Sequence, residues 1–241
     1  MVTGGPADRQ AFYIRSEGTN EVAVRRGIQW LLDLGRANPR KRSALLAVPA
    51  RGNLRGVISD VLGVENAKIL SDGGTLRMNG VVDLALLTKL KMVSQWDGPV
   101  LAVYPARDML NSIDAISGVT DMLLVPWNIK EVEFWINAWS ATELDGRGGT
   151  SPAQIAVDAT VAEKLASMTS RVNKGTGTAH PRDKATIVRL FQTLRSDGIG
   201  YDPEAVRAHL VGQLGWMPDR ADEVLEIAKG VLEGRRYQLR V

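Results

Sequence analysis

The feature that most limits the fold is a set of short apolar runs that do not alternate and that each stop at a proline. Ala44-Leu45-Leu46-Ala47-Val48 meets Pro49, the run from Pro99 to Tyr104 meets Pro105, and Met122-Leu123-Leu124-Val125 meets Pro126. A strand with one wet face alternates apolar and polar residues. A run without alternation has to be covered on both faces, as in a parallel sheet between two helix layers. Ala11–Arg15 reads as a further strand, ended by Glu17-Gly18, and Ala67–Leu70 as another, with Thr75–Met78 as a short hairpin arm after Asp72-Gly73-Gly74.

Amphipathic segments stand between the runs. Val24, Ile28 and Leu31 share one helical face behind Thr19, a good N-cap residue, and Gly35 is placed to end that helix. Asn53 can open a helix whose stripe is Leu54, Val57, Ile58, Val61 and Leu62, and Val82, Leu86, Leu87, Leu90 and Val93 mark another. A helix over Asp108–Ile116 joins the last two runs, and Val132, Trp135, Ile136 and Trp139 then repeat at i, i+3, i+4 and i+7. This order predicts a doubly wound, mostly parallel α/β sheet of the Rossmann or flavodoxin-like kind, with about five strands. Glu17-Gly18-Thr19 before a helix, Leu34-Gly35 at its end and the strand Leu45–Val48 resemble the C-terminal domain of pyruvate kinase. That pattern is common to α/β units in general, and no functional residue is carried over from it.

Beyond residue 145 the composition turns helical. Residues 1–10 are read as a flexible tail, 11–145 as the α/β sandwich, the glycine-rich 146–151 as a linker and 152–241 as an all-helical domain. Ser151-Pro152-Ala153-Gln154 has the capping-box arrangement for a helix reaching about Val172. Asp183–Ser196, Pro203–Leu214 and Pro218–Leu232 follow, with Asp202 as a cap and prolines at first-turn positions. Whether residues 152–172 pack on the sandwich is not legible.

Composition removes whole classes of chemistry. The 241 residues include no cysteine and two histidines, His180 and His209. Disulfide scaffolds, zinc fingers, iron–sulfur clusters and cysteine nucleophiles are therefore excluded, as is a multi-histidine metal site. Phosphate-binding P-loops, the Gly-x-Gly-x-x-Gly fingerprint after a strand and the Gly-x-Ser-x-Gly elbow are all missing. No cofactor and no metal are expected. The first ten residues lack the basic-then-apolar order of a signal peptide, and no 18-residue apolar stretch occurs, so a soluble cytoplasmic protein is the expectation.

Lysines and arginines balance acidic residues, 16 against 16, up to residue 145, and the net +3 lies wholly beyond it. Arg182, Lys184, Arg189 and Arg195 recur along one helix, but Asp183, Asp197, Asp219, Asp222, Glu223 and Glu226 interrupt the basic surface. A nucleic-acid partner is accordingly disfavoured.

What remains is the carboxyl edge of the sheet, where parallel sheets bind ligands beside helix N-termini. Two strand ends share Pro-Ala-Arg, placing Arg51 before Asn53 and Arg107 before Asp108. If neighbours, the two arginines could clamp a carboxylate or phosphate. Glu17 and Asn20 belong to the first strand–helix turn and could complete the rim. Glu17 is the best acid or base there, with Asp72 and Asp108 behind it. Trp127, next to the strand-ending Pro126, could wall a pocket, whereas Trp135 and Trp139 read as core. The expected ligand-binding set is Glu17, Asn20, Arg51, Asn53, Arg107, Asp108 and Trp127. It serves a non-catalytic protein that binds a small anion or a protein partner. The alternatives are an enzyme using carboxylate and arginine groups at that edge and a nucleic-acid-binding regulator using the C-terminal helices.

Overall fold

The computed structural model describes residues 9–144 and 157–237. The chain divides into two compact units, residues 1–136 with 141–152 and residues 137–140 with 153–241. The expected linker at 146–151 and the capping box at Ser151–Gln154 lie outside the described residues. So does the expected tail, apart from Arg9, which is bonded to Asp114, and Gln10, which starts the first strand.

In the first unit β1 (Gln10–Tyr13), β2 (Ser43–Ala47), β3 (Leu76–Met78), β4 (Val82–Leu87), β5 (Gln95–Val103), β6 (Ser117–Val125) and β7 (Thr142–Glu143) form one sheet. Their order is β3-β4-β2-β5-β6-β1-β7. Every pairing is parallel except β3 with β4. The apolar runs behave as their lack of alternation requires. Ala44, Leu46, Leu101, Val103, Leu123 and Val125 pack into one cluster with α1 (Glu21–Ala37), α2 (Val57–Leu62) and α3 (Val64–Ser71). Their strand neighbours Leu45, Ala47, Val100, Ala102, Met122 and Leu124 point the other way and are buried too. Two further helices, α4 (Arg107–Asp114) and α5 (Ile129–Trp139), follow β5 and β6.

The sheet has seven strands instead of about five, and two expectations are reversed. Ala67–Leu70 is not a strand but the body of α3, which Gly63 at φ 90° separates from α2. Val82–Val93 is not a helix. Val82–Leu87 is β4, and residues 88–94 then lead to β5 with Leu90 fully exposed. Val82, Leu86 and Leu87 fit either period, so the choice falls to length and boundaries. Six apolar-rich residues after Asn79-Gly80, both at positive φ, suit the second arm of a hairpin. β3 falls within the expected hairpin arm Thr75–Met78, though it pairs with β4 rather than with Ala67–Leu70, and β7 spans two residues, too few to leave a period.

Helix ends moved by smaller amounts. Asn20, not Thr19, caps α1, its side chain accepting the Ala23 N–H at 2.9 Å. Gly35 does not end α1 but lies within it, where an added Cβ would stand 2.5 Å from Val82 Cγ2. Asn53 does not cap a long helix. It sits in a 3-10 turn over Arg51–Leu54, and α2 begins only at Val57.

The second unit consists of α6 (Ala159–Thr169), α7 (Pro181–Ser196), α8 (Pro203–Gly212) and α9 (Pro218–Leu232). Asp158, His180 and Asp202 cap the first three, and α7, α8 and α9 each carry proline in the first turn. Val161, Leu165, Ile187, Phe191, Val206, Leu210, Val224 and Ala228 form their shared core.

Candidate functional site

Parallel pairing places the carboxyl ends of β1, β2, β4, β5 and β6 on one edge of the sheet. After β2 the chain runs outward to β3 and β4; after β5 it runs the opposite way to β6. These two strands are neighbours, and the Pro-Ala-Arg turns follow them. Arg51 and Arg107 thus stand at the same edge on adjacent strands, but their side chains engage different elements.

Arg107 is the first residue of α4, and its guanidinium lies 4.3 Å from the centre of the Phe134 ring on α5. Asp108 is held in an ion pair with Lys89, which follows β4, so the pair reaches across the end of β2. The Lys89 hydrogen bond is the main reason the Asp108 carboxyl sits below the usual carboxylate range. Such a group is a poor general base.

Arg51 turns toward α2 and α3. With Arg55 and Lys68 it surrounds a depression of about 360 Å³ whose walls also carry Leu54, Ser59, Val64, Ala67 and Ser71. Among the described residues no carboxylate pairs with any of these three cations, and no acidic side chain lines the hollow. Its shape is set locally. Asn53 accepts the Ala50 N–H at 2.9 Å and closes the 3-10 turn that carries Arg51, while Gly56 at φ 71° lets the chain bend into α2. Ser59 donates to the Gly56 carbonyl at 2.7 Å, and α3 presents Lys68 and Ser71 one turn apart.

The remaining expected residues gather at β1 and β6. The Gly18 N–H donates to the Trp127 carbonyl at 2.7 Å, and the buried Ser16 hydroxyl donates to the Pro126 carbonyl at 2.6 Å. Trp127 is 48% exposed and meets Tyr104 edge-on at 5.5 Å. Tyr104 has φ 53°, an outlier for a bulky residue, and its hydroxyl accepts the Asn20 N–H at 2.9 Å. Glu17 is exposed. The structure therefore joins Asn20 with Tyr104 and Trp127 with the Glu17–Gly18 turn. Arg51 and Asn53 belong to a separate corner, and Arg107 and Asp108 to a third.

Arg55, Lys68, Ser59 and Ser71 were not legible as site residues. Arg51 and Arg55 are four apart in the sequence, which is a faint signal. Lys68 was hidden because a strand reading of Ala67–Leu70 points it away from any turn.

Among the described residues, no group of three or more histidine or acidic side chains could hold a metal ion, and no helix is long and apolar enough to cross a membrane. Residues 157–241, about a third of the chain and including α6 to α9, are similar to a family described as a domain of unknown function (DUF1889). No curated protein matches the chain, and neither does any solved structure.

Proposed function

We propose that this protein binds a small anionic ligand, phosphate- or carboxylate-bearing, at the carboxyl edge of its sheet, with Arg51, Arg55 and Lys68 as the anion-holding groups. One observation carries the reading: three cations with no acidic partner among the described residues surround a single depression. Gathering like charges around a hollow is unfavourable unless an anion relieves it, and an arginine can take a carboxylate or phosphate through two parallel N–H bonds. The position supports the same reading. The hollow adjoins the turn after β2, beside the point where the outgoing connections diverge, and open α/β sheets bind ligands at such crevices.

Binding without catalysis is favoured by what lines the site. Its polar groups are cations and two hydroxyls, of which Ser59 already donates to a carbonyl. Of the carboxylates considered for an enzyme at this edge, Glu17 belongs to the separate turn at Trp127, and Asp108, behind it in the order of candidates, is tied to Lys89.

Thermal-shift measurement against inorganic phosphate, sugar phosphates and small dicarboxylates tests the proposal, because a ligand that binds the native state raises its stability by mass action. At least one should raise the Tm of the full chain. Arg51→Ala with Arg55→Ala should remove about 1.4 kcal/mol or more of binding, a tenfold loss, while the unliganded Tm stays nearly constant. A ligand-induced shift that survives the double substitution would place the anion elsewhere.

A further inference from the structure

The helical unit carries a second cationic hollow, independent of the first. A groove of about 420 Å³ runs between α6 and α7. From α6 come Lys164 and Ser167, with Arg171 in the turn just after it; from α7 come Thr186, Arg189 and Thr193. Lys164 and Ser167 share one face of α6, and the α7 set, spaced i, i+3, i+7, lies along one face of that helix. One side presents cation, hydroxyl, cation and the other hydroxyl, cation, hydroxyl. Met168 and Leu190 supply the apolar contact, and among the described residues no carboxylate lines the groove.

The cations differ in how they are held. Arg171 is braced on the end of α6, with Nε donating to the Ser167 carbonyl at 3.0 Å and a terminal nitrogen to the Ser167 hydroxyl at 3.1 Å. Its other terminal nitrogen makes no hydrogen bond with any described residue. Arg189 makes no hydrogen bond or ion pair with any described residue. Lys164 stands 4.0 Å from the Asp197 carboxylate, beyond hydrogen-bond reach. A guanidinium already fixed in place loses less freedom when it binds an anion.

We propose that this groove binds a short oligophosphate of di- to triphosphate size. Lys164 stands within α6 and Arg171 just beyond its C-terminal end, so the two cations sit apart along the groove. A chain of phosphates can engage both together with Arg189 of α7, giving each cation its own phosphate oxygens, which a single phosphate does less well. A long polyanion fits less well. Asp183 lies in the first turn of α7 and Asp197 at its C-terminal cap, so carboxylates flank the groove at either end of that helix. A nucleic-acid strand continuing past the groove would meet both.

The test is calorimetric titration of the full chain with inorganic tripolyphosphate. It is done in an Arg51→Ala, Arg55→Ala, Lys68→Ala background, so that the site at the sheet edge contributes nothing and failure there leaves this result interpretable. Saturable 1:1 binding is expected, with orthophosphate weaker by about tenfold or more. Adding Arg189→Gln or Arg171→Gln should each weaken tripolyphosphate by about tenfold with the helical circular dichroism unchanged, and Arg189→Lys should restore part of the loss. The proposal is overturned by absence of saturable binding, by glutamine variants that bind like their parent, or by a single-stranded oligonucleotide that binds through Arg189 more tightly than tripolyphosphate.

Discussion

Two carboxylates show how much a single side chain can carry in this protein. Asp114 accepts from Arg9 at 2.7 Å and from the Trp135 indole at 3.1 Å, with the Arg9 and Asp114 side chains each only 4% exposed. Removing it deprives a buried guanidinium of its carboxylate, leaving it the Ile116 carbonyl at 3.3 Å. Asp114→Ala should therefore cost about 3–5 kcal/mol in chemical denaturation, and a loss below about 1 kcal/mol would contradict the burial of the pair. Glu223 governs a loop instead. Burial pushes its carboxyl up, but hydrogen bonds from the Thr178 hydroxyl at 2.5 Å and N–H at 2.9 Å, with the Arg220 guanidinium, hold it below the usual carboxylate range. A depressed folded pKa stabilises the native state above the unfolded value, and that stability is lost as pH falls through the folded value. The wild type should therefore lose more Tm than Glu223→Gln between neutral pH and about pH 3. Parallel pH profiles would show that these bonds contribute nothing. Neither role was legible in the sequence, because both depend on partners distant along the chain. Residue-scale reading succeeded where the partner is local. Asp202 bonds the Glu204 and Ala205 N–H groups as an N-cap should.

At the scale of elements, strands buried on both faces were legible, because β2, β5 and β6 need continuous apolar runs. The second arm of the hairpin was not, since Val82–Leu87 satisfies two periods and its partners β3 and β2 decide between them, Leu76 and Ala44 both facing Leu84. Gly35 was misplaced for a related reason. A glycine near a helix end suggests a C-cap, yet here it allows α1 to approach β4. This approach has a measurable consequence. Gly35→Ala gains up to about 1 kcal/mol of helix propensity, but its Cβ meets the stiff Val82 side chain at 2.5 Å and Val81 at 3.2 Å. Overpacking of this kind costs about 1–3 kcal/mol, so a net loss of about 1–2 kcal/mol is expected in urea denaturation. A stabilised variant would mean that α1 shifts freely over the sheet.

At the scale of the whole molecule, each unit has its own apolar cluster, that of the second including Trp139, so residues 137–241 alone should fold. That fragment is expected to show helical circular dichroism and one cooperative thermal transition; a featureless melt would show that its core is incomplete. The carboxyl edge itself was legible as the place for a site, since parallel strands ending in matching turns must share one edge. Its membership was not, because the directions of Arg51 and Arg107 depend on α2, α3 and α5 rather than on their own turns. The most direct test of anion binding at that edge is ¹H–¹⁵N chemical-shift mapping of the full chain during titration with sugar phosphates. Saturable shifts at the amides of Gly52, Arg55, Ser59, Lys68 and Ser71, abolished by Arg51→Ala with Arg55→Ala, are the predicted result. Amides there that stay unmoved at saturating ligand, or that move equally in the double variant, would contradict it.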